Sequence, residues 1–264
     1  MTIYHMTSLN SEGFHSWRAA PAILGCAMDP FLSIEYFKMR QQAHLPRPQA
    51  GFCAITYVLT ESKGAILVKH SLGGSYVASA GELVWTRAAQ GILHEETPLH
   101  DVVQGLKIHL NLSREKELFP PKVFYQKHPL RCSFGQSDGF LISGAWLNKE
   151  QKIDSLSSFV LVELTVCSEI LLPTRLGESV FIVPLSGTIY CSEGELGVGQ
   201  ILHVVSEGHS IAIRADDARV AFVMGTPLEE EACFLGPFAM SDQLRNKVVA
   251  QRYLSGDLGV LSTQ

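Results

Sequence analysis

Two side chains that can bind a divalent cation, His94 and Glu96, lie two residues apart in the sequence. If that segment is extended, both side chains point to the same face of a β-strand. An imidazole nitrogen and a carboxylate oxygen are ligands that suit Fe(II) and similar ions. The alternative is a hydrogen-bonded polar pair without a ligand role, because histidines outside ligand clusters are more often structural than functional. His109, in a separate apolar run, either points into the same cavity or faces solvent.

The six cysteines show no Cys-x-x-Cys pair and no short regular spacing. This pattern indicates neither a zinc ribbon nor a disulfide framework. We therefore expect reduced thiols that are mostly buried, as in a cytoplasmic protein. The cysteines are Cys26, Cys53, Cys132, Cys167, Cys191 and Cys233.

The composition excludes several classes of function. With 264 residues, 46% of them hydrophobic and 18% charged, the chain can bury a sizeable core. Its net charge of −5 and the lack of a Lys/Arg run argue against direct binding of nucleic acid. No apolar run approaches the roughly 18 residues that a membrane-spanning helix needs, so we expect no membrane association.

Short apolar or alternating runs separated by glycine dominate the chain after residue 50 and predict β-strands. Gly73-Gly74 between two runs indicates a hairpin. The runs form two sets with a similar order of strands and turns, which is typical of duplicated barrels. We place the first unit at residues 1–135 and the second at 136–264. The runs are 52–60, 65–70, 75–80, 83–86 and 105–112 in the first set, and 159–166, 179–183, 188–191, 201–205, 210–214 and 219–224 in the second.

The end of the chain has the pattern of a helix. Ser241 or Asp242 can cap its start, and Gly256 is well placed to end it. We expect this helix to pack on the second barrel. Its apolar positions at helical spacing are Leu244, Val248, Val249 and Tyr253.

An ordered set of short motifs resembles the pirin family from Asp29 to the C-terminus. No single motif is specific, but their order and spacing are. The resemblance implies an all-β fold of two tandem cupin barrels (double-stranded β-helix or jelly-roll) with a C-terminal helix. It also implies one iron-type metal in the first barrel and none in the second. The motifs are Asp29-Pro30-Phe31-Leu32, Gly51-Phe52, Thr56-Tyr57-Val58-Leu59, Ser71-Leu72-Gly73, Ala80 to Thr86, Gln90 to Glu96, Gly105 to Leu112 and Gly236 to Met240.

The family's metal ligands are implied to be two histidines of a His-Pro-His-Arg-Gly-Phe segment and a later His-x-Glu. His94 and Glu96 match the second pair, but Arg47 and Gln49 stand where the family has its first two histidines. A guanidinium is a permanent cation without acceptor capacity, so Arg47 cannot ligate a metal. We expect it to pair with Glu96 instead, leaving a degenerate metal site. His44 would restore a ligand only through a shift of the loop.

The expected pocket therefore consists of Arg47, Gln49, His94, Glu96 and His109. We expect no cofactor, with Fe(II) or another divalent metal as the alternative.

Three functions remain open. The first is a non-enzymatic regulatory bicupin that binds a small ligand or a protein partner. The second is an oxygenase resembling quercetin 2,3-dioxygenase, with Glu96 as metal ligand and possible base. The third is a redox sensor, for which Cys53 is the first candidate because it lies beside the altered ligand segment.

Overall fold

The computed structural model describes residues 1–41, 45–134, 137–151, 153 and 159–261. Most of its regular structure is β-strand, arranged in two barrels, and within those ranges only one α-helix is longer than a single turn. The predicted class, two tandem cupin barrels with a C-terminal helix, is confirmed.

The predicted apolar runs all coincide with strands, with ends that differ by a few residues at most. The strands of the first half are β1 (Thr2–His5), β2 (Thr7–Ser11), β3 (Phe14–Ala19), β4 (Phe31–Met39), β5 (Arg47–Gln49), β6 (Phe52–Val58), β7 (Ala65–His70), β8 (Gly74–Ala78), β9 (Leu83–Arg87), β10 (Ile92–Leu99), β11 (Val103–Asn111) and β12 (Lys122–Gln126). Those of the second half are β13 (Leu130–Phe134), β14 (Ser137–Trp146), β15 (Lys149–Gln151), β16 (Phe159–Val166), β17 (Glu169–Leu172), β18 (Ser179–Ser186), β19 (Ile189–Cys191), β20 (Gly194–Leu196), β21 (Gln200–Val205), β22 (Ile211–Arg214), β23 (Ala218–Gly225), β24 (Cys233–Leu235) and β25 (Phe238–Met240). The helices are α1 (Pro21–Leu24), α2 (Gln243–Leu254) and the 3₁₀ helices Gly25–Met28 and Lys116–Leu118.

The first barrel consists of a large and a small antiparallel sheet. The large sheet has the order β12-β9-β6-β11-β4-β3-β2, and the small sheet has the order β5-β10-β7-β8. Strands β7 and β8 form the hairpin predicted at Gly73-Gly74, with Gly73 at a φ of +83° in its turn. Glycine suits this turn because other residues rarely adopt a positive φ.

The second barrel repeats this plan. Its large sheet has the order β1-β21-β18-β23-β16-β14-β13, with β15 beside β14, and its small sheet has the order β17-β22-β19-β20. The N-terminal strand β1 thus joins the second barrel, and β12 and β13, which follow each other in the chain, lie in different barrels. Gly135 and Gln136 lie outside the described residues, and the division into 1–135 and 136–264 stays a prediction.

The largest apolar core lies between the two large sheets. Aromatic rings from both barrels meet there, and Phe31 contacts Phe181 edge to face with ring centroids 5.5 Å apart. A buried hydrogen bond also crosses this core, because the Tyr57 hydroxyl donates to Glu163 Oε2 over 2.5 Å.

Strand β11 shows how this core positions the candidate site. Leu106, Ile108 and Leu110 of β11 belong to the core between the barrels. Alternate residues of a strand point to opposite faces. Lys107 and His109 therefore point the other way, into the first barrel.

Helix α2 packs against the first barrel, so the prediction that it packs on the second was wrong. Val249 shares an apolar cluster with Ala50 of the first barrel and Leu258, which follows the helix. The Arg252 guanidinium donates to the Gln90 carbonyl over 2.8 Å. The chain returns to the first barrel through the β24–β25 hairpin, where Phe238 forms a β-bridge with Ala50.

The cap of α2 is as predicted, since the Asp242 side chain accepts a hydrogen bond from the Arg245 backbone N–H over 2.9 Å. Of the four apolar positions, only Val249 is buried, and Leu244, Val248 and Tyr253 are exposed. Within the described part of the chain, no helix is long and apolar enough to cross a membrane.

Candidate functional site

Two adjacent strands of the small sheet bring together the residues at the four expected ligand positions. Strand β5 carries Arg47 and Gln49, and β10 carries His94 and Glu96. The register places Arg47 opposite His94 and Gln49 opposite Ile92. The two predicted pairs of residues, which are far apart in the sequence, are therefore neighbours across one pair of strands.

A cavity of about 150 Å³ inside the first barrel is lined by all five expected pocket residues, Arg47, Gln49, His94, Glu96 and His109. His109 faces this cavity rather than the core between the barrels, and its ring packs against Phe52 in a tilted arrangement with ring centroids 4.7 Å apart. The remaining charged residues of the lining are Arg18, Glu35, Glu95 and Lys107.

Glu96 is held by three neighbours, and none of them is Arg47. The Lys107 ammonium forms an ion pair with Glu96 Oε2, and the Thr56 hydroxyl donates to Oε1. His94 Nε2 lies 3.0 Å from Oε1. No ion pair within 4.0 Å joins Arg47 to Glu96, so the predicted Arg47–Glu96 pair was wrong. The cation that neutralises Glu96 comes from the large sheet.

These contacts determine the charge state of Glu96. Burial alone would raise the pKa of this carboxyl, whose side chain is only 8% exposed. The Lys107 ammonium and the neighbouring His94 outweigh that effect and hold the pKa of Glu96 well below its usual range. Glu96 is therefore an ionised carboxylate with its charge already compensated.

His109 is an uncharged imidazole at neutral pH. Burial lowers the pKa of His109 to about 3, and the positive charges of Lys107 and Arg18 act in the same direction. Its Nε2 is buried and has no hydrogen-bond partner among the described residues.

Other polar atoms around this cavity also lack partners. Gln49 Oε1 and His94 Nδ1 are buried without a hydrogen bond to any residue that the structure describes. His94 Nε2 is close to Glu96, but the geometry of that contact does not satisfy a hydrogen bond. Because buried polar atoms are rarely left unpaired, this cavity is built to receive polar groups of water or a ligand.

The donor set fits an iron-type ion poorly. Two of the four expected ligand positions hold Arg47 and Gln49, which supply no imidazole, and the one carboxylate at these positions is engaged by Lys107. Across the described ranges, no three His, Cys, Asp or Glu side chains converge closely enough to hold a metal ion. His44, the possible substitute ligand, lies outside the described residues.

Cys53 does not belong to this cavity. It lies on β6 with its side chain in the core between the barrels, fully buried. Burial raises the pKa of the Cys53 thiol to about 12. A thiol in that state is a poor nucleophile, so its position argues against redox sensing at this residue.

Sequence reasoning missed Lys107, Arg18 and Thr56. Lys107 stands two residues before His109, the same spacing that identified His94 and Glu96, so it shares the face of His109. That signal was available in the sequence. Arg18 lies on β3, ahead of the region whose motifs carried the resemblance, and nothing in the sequence links it to the cavity.

Two family models match this chain. Residues 15–110 match the model of pirin, and residues 159–259 match the model of the pirin C-terminal cupin domain. The first match lies within the first barrel, and the second covers strands β16 to β23 of the second barrel and continues through the β24–β25 hairpin and α2.

The chain is similar over most of its length to eukaryotic pirins. It is 28% identical to a pirin-like protein of Arabidopsis thaliana over 244 residues, covering 81% of this chain and 75% of that protein. It is 27% identical to human pirin over 240 residues, covering 86% of this chain and 81% of pirin.

Solved structures share the fold at low sequence identity. A quercetin 2,3-dioxygenase from Acinetobacter baumannii superposes with a TM-score of 0.88 at 20% identity, covering 98% of this chain and 97% of that one. The bacterial pirin YhhW of Escherichia coli, solved in complex with nickel(II), superposes with a TM-score of 0.67 at 16% identity, covering 86% and 98%. With both barrels matched by their domain models, the chain belongs to the pirin family of bicupins.

Proposed function

We propose that this bicupin binds a small molecule in its first barrel without a metal ion, and that it acts as a binding or regulatory protein rather than an enzyme. The observation that carries the proposal is the ion pair between Lys107 and Glu96 inside the barrel. The only carboxylate among the four family ligand positions is neutralised by a cation of the protein itself.

Electrostatics support this proposal. Lys107 and Arg47 both line the cavity, so a divalent ion there would meet two fixed positive charges. At an effective dielectric constant of about 20, one unit charge roughly 4 Å from a divalent ion repels it by about 8 kcal/mol. Glu96 and His94 are the expected ligands that would offset this repulsion, and Glu96 would first have to give up Lys107.

Anaerobic equilibrium dialysis against Fe(II), followed by elemental analysis, tests the proposal. We expect the wild-type protein to retain far less than one equivalent of iron. The matched control is the variant Arg47→His, Gln49→His and Lys107→Gln, which restores the imidazoles and removes the competing cation. It should retain close to one equivalent. Stoichiometric iron in the wild-type protein would reject the metal-free proposal.

A metal-dependent oxygenase is the second candidate. It is favoured by the 3.0 Å approach of His94 to Glu96 inside the cavity and by the likeness to a quercetin 2,3-dioxygenase. In that case Glu96 would serve as ligand and base. Oxygen consumption with a flavonol after metal loading would support this candidate, whereas a wild-type rate equal to that of Glu96→Gln would reject it.

A cytoplasmic location belongs to the same proposal. All six cysteines are free, as expected of a protein in a reducing compartment. In a regulatory role, the protein would bind either a small molecule or a protein partner.

A further inference from the structure

A second cavity, of about 170 Å³, shares part of its wall with the first. The shared residues are Arg18, Arg47, Gln49 and His109. The rest of its lining is mainly apolar and comes from the barrel wall and the β24–β25 hairpin. Those apolar residues include Leu32, Phe52, Phe234 and Phe238.

Arg18 lines this cavity and has a hydrogen-bond donor without a partner among the described residues. It lies on β3 directly opposite Glu35 of β4, but no ion pair within 4.0 Å joins the two side chains. Its Nε is buried and finds no hydrogen-bond partner in the described ranges. A buried donor without a partner costs free energy, so a ligand acceptor at this position would be stabilising.

Arg47 is also without a bound partner. Its side chain makes no hydrogen bond or ion pair with the described residues, whereas its strand pairs with β10 through the backbone. Burial lowers the pKa of Arg47, and the neighbouring charge of Arg18 lowers it further, against the opposite effect of Glu35 and Glu96. The two guanidinium groups are therefore close enough to repel each other, and an anion between them would relieve this repulsion.

The two cavities differ in charge. The first contains the carboxylates of Glu35, Glu95 and Glu96, whereas no carboxylate of the described residues lines the second. Its charged lining residues, in the part of the chain that the structure describes, are Arg18 and Arg47. The second cavity thus combines two unpaired guanidiniums with a wall of aromatic rings.

We propose that the second cavity binds a small aromatic carboxylate, whose oxygens accept hydrogen bonds from Arg18 and Arg47 and whose ring packs against Phe52 and Phe234. Guanidinium groups recognise carboxylates through strong, directional hydrogen bonds. A cavity of about 150 Å³ suffices to hold a benzene ring. This inference rests on the proposed function, because it assumes that no metal in the adjoining cavity competes for the carboxylate.

Calorimetric titration with benzoate and with benzamide tests the inference on the full chain. The two probes have the same size and shape, but only benzoate is charged. We expect benzoate to bind about tenfold more tightly or better, as charge-assisted hydrogen bonds require. Equal affinity for the two probes, or no binding of benzoate at millimolar concentration, would overturn the inference.

Single variants locate the binding site. Arg47→Gln and Arg18→Gln should each weaken benzoate binding about tenfold and leave benzamide binding unchanged. Arg40→Gln is the matched control, because Arg40 is exposed and pairs with Asp101 away from both cavities. Arg47 is exposed, so its substitution leaves the fold intact, as unfolding curves will verify. Benzoate affinity that is unaffected by both variants would also overturn the inference.

Titration with and without Fe(II) separates this inference from the proposed function. If benzoate binds only after iron is loaded, the carboxylate ligates a metal, and both proposals fail. If benzoate fails to bind under either condition while iron is also not retained, only the carboxylate site is rejected.

Discussion

Lys107 on β11 and Glu96 on β10 form an ion pair that connects the large and small sheets of the first barrel. Both side chains lie inside the barrel, with exposures of 20% for Lys107 and 8% for Glu96. A buried ion pair makes each partner depend on the other, because removal of one leaves a buried charge uncompensated.

Lys107→Met should therefore destabilise the protein. We expect the free energy of unfolding to fall by roughly 3 to 5 kcal/mol, as for other broken buried pairs. Urea denaturation measures this change. The control is Lys63→Met, which removes an exposed lysine in the turn after β6 and should change stability little. The double variant Lys107→Met, Glu96→Gln should recover part of the loss, and no recovery would argue against the pair as the cause.

Gly51 allows the C-terminal hairpin to contact the first barrel. Its φ is +89°, and a Cβ atom there would lie 1.8 Å from the Ala239 carbonyl oxygen on β25. Gly51→Ala should lower the free energy of unfolding by at least about 2 kcal/mol, from backbone strain and displacement of β25. Gly73→Ala is the control, since Gly73 has a similar φ of +83° but open space around it. Equal losses in the two variants would show that the contact with Ala239 is unimportant.

His109 should make stability depend on pH. Its pKa is about 3 in the folded protein and about 6.5 in an unfolded chain. Between these values the unfolded state binds a proton that the folded state excludes, so stability falls as pH decreases from about 6.5 towards 3. The contribution of His109 to the slope of the unfolding free energy against pH approaches 1.4 kcal/mol per pH unit.

The measurement compares unfolding free energies between pH 5 and 7. His109→Asn should flatten this dependence relative to the wild type. His128→Asn, which alters an exposed histidine, should leave it unchanged. An unaltered slope in His109→Asn would mean that the imidazole is protonated in the fold.

The two-barrel fold was predictable because apolar runs at strand spacing and the ordered motifs agreed with one architecture. The position of α2 was not predictable, because the apolar pattern of a helix does not indicate which barrel the helix packs against. The decisive contacts, such as Phe238 with Ala50, join residues far apart in the chain.

The partner of Glu96 was missed for a related reason. In a sheet with one face in water, Lys107 between Leu106 and Ile108 would be a solvent-exposed residue. In this barrel both faces of β11 are enclosed, one by the second barrel and one by the cavity. The polar face of the alternating pattern therefore lines the site.

The cysteines should differ in reactivity according to their exposure. Cys26 and Cys167 are exposed, whereas Cys53 is buried with a pKa raised to about 12. After brief treatment of the folded protein with iodoacetamide, mass spectrometry should find Cys26 and Cys167 alkylated and Cys53 intact. Preferential modification of Cys53 would revive the redox-sensor hypothesis.

The metal-free cavity is tested most directly by anomalous diffraction at the iron edge, from crystals equilibrated anaerobically with Fe(II). We expect no anomalous peak in the first barrel and the Lys107 ammonium in contact with Glu96. An iron peak about 2 Å from both His94 Nε2 and a Glu96 oxygen, with Lys107 displaced, would contradict the account.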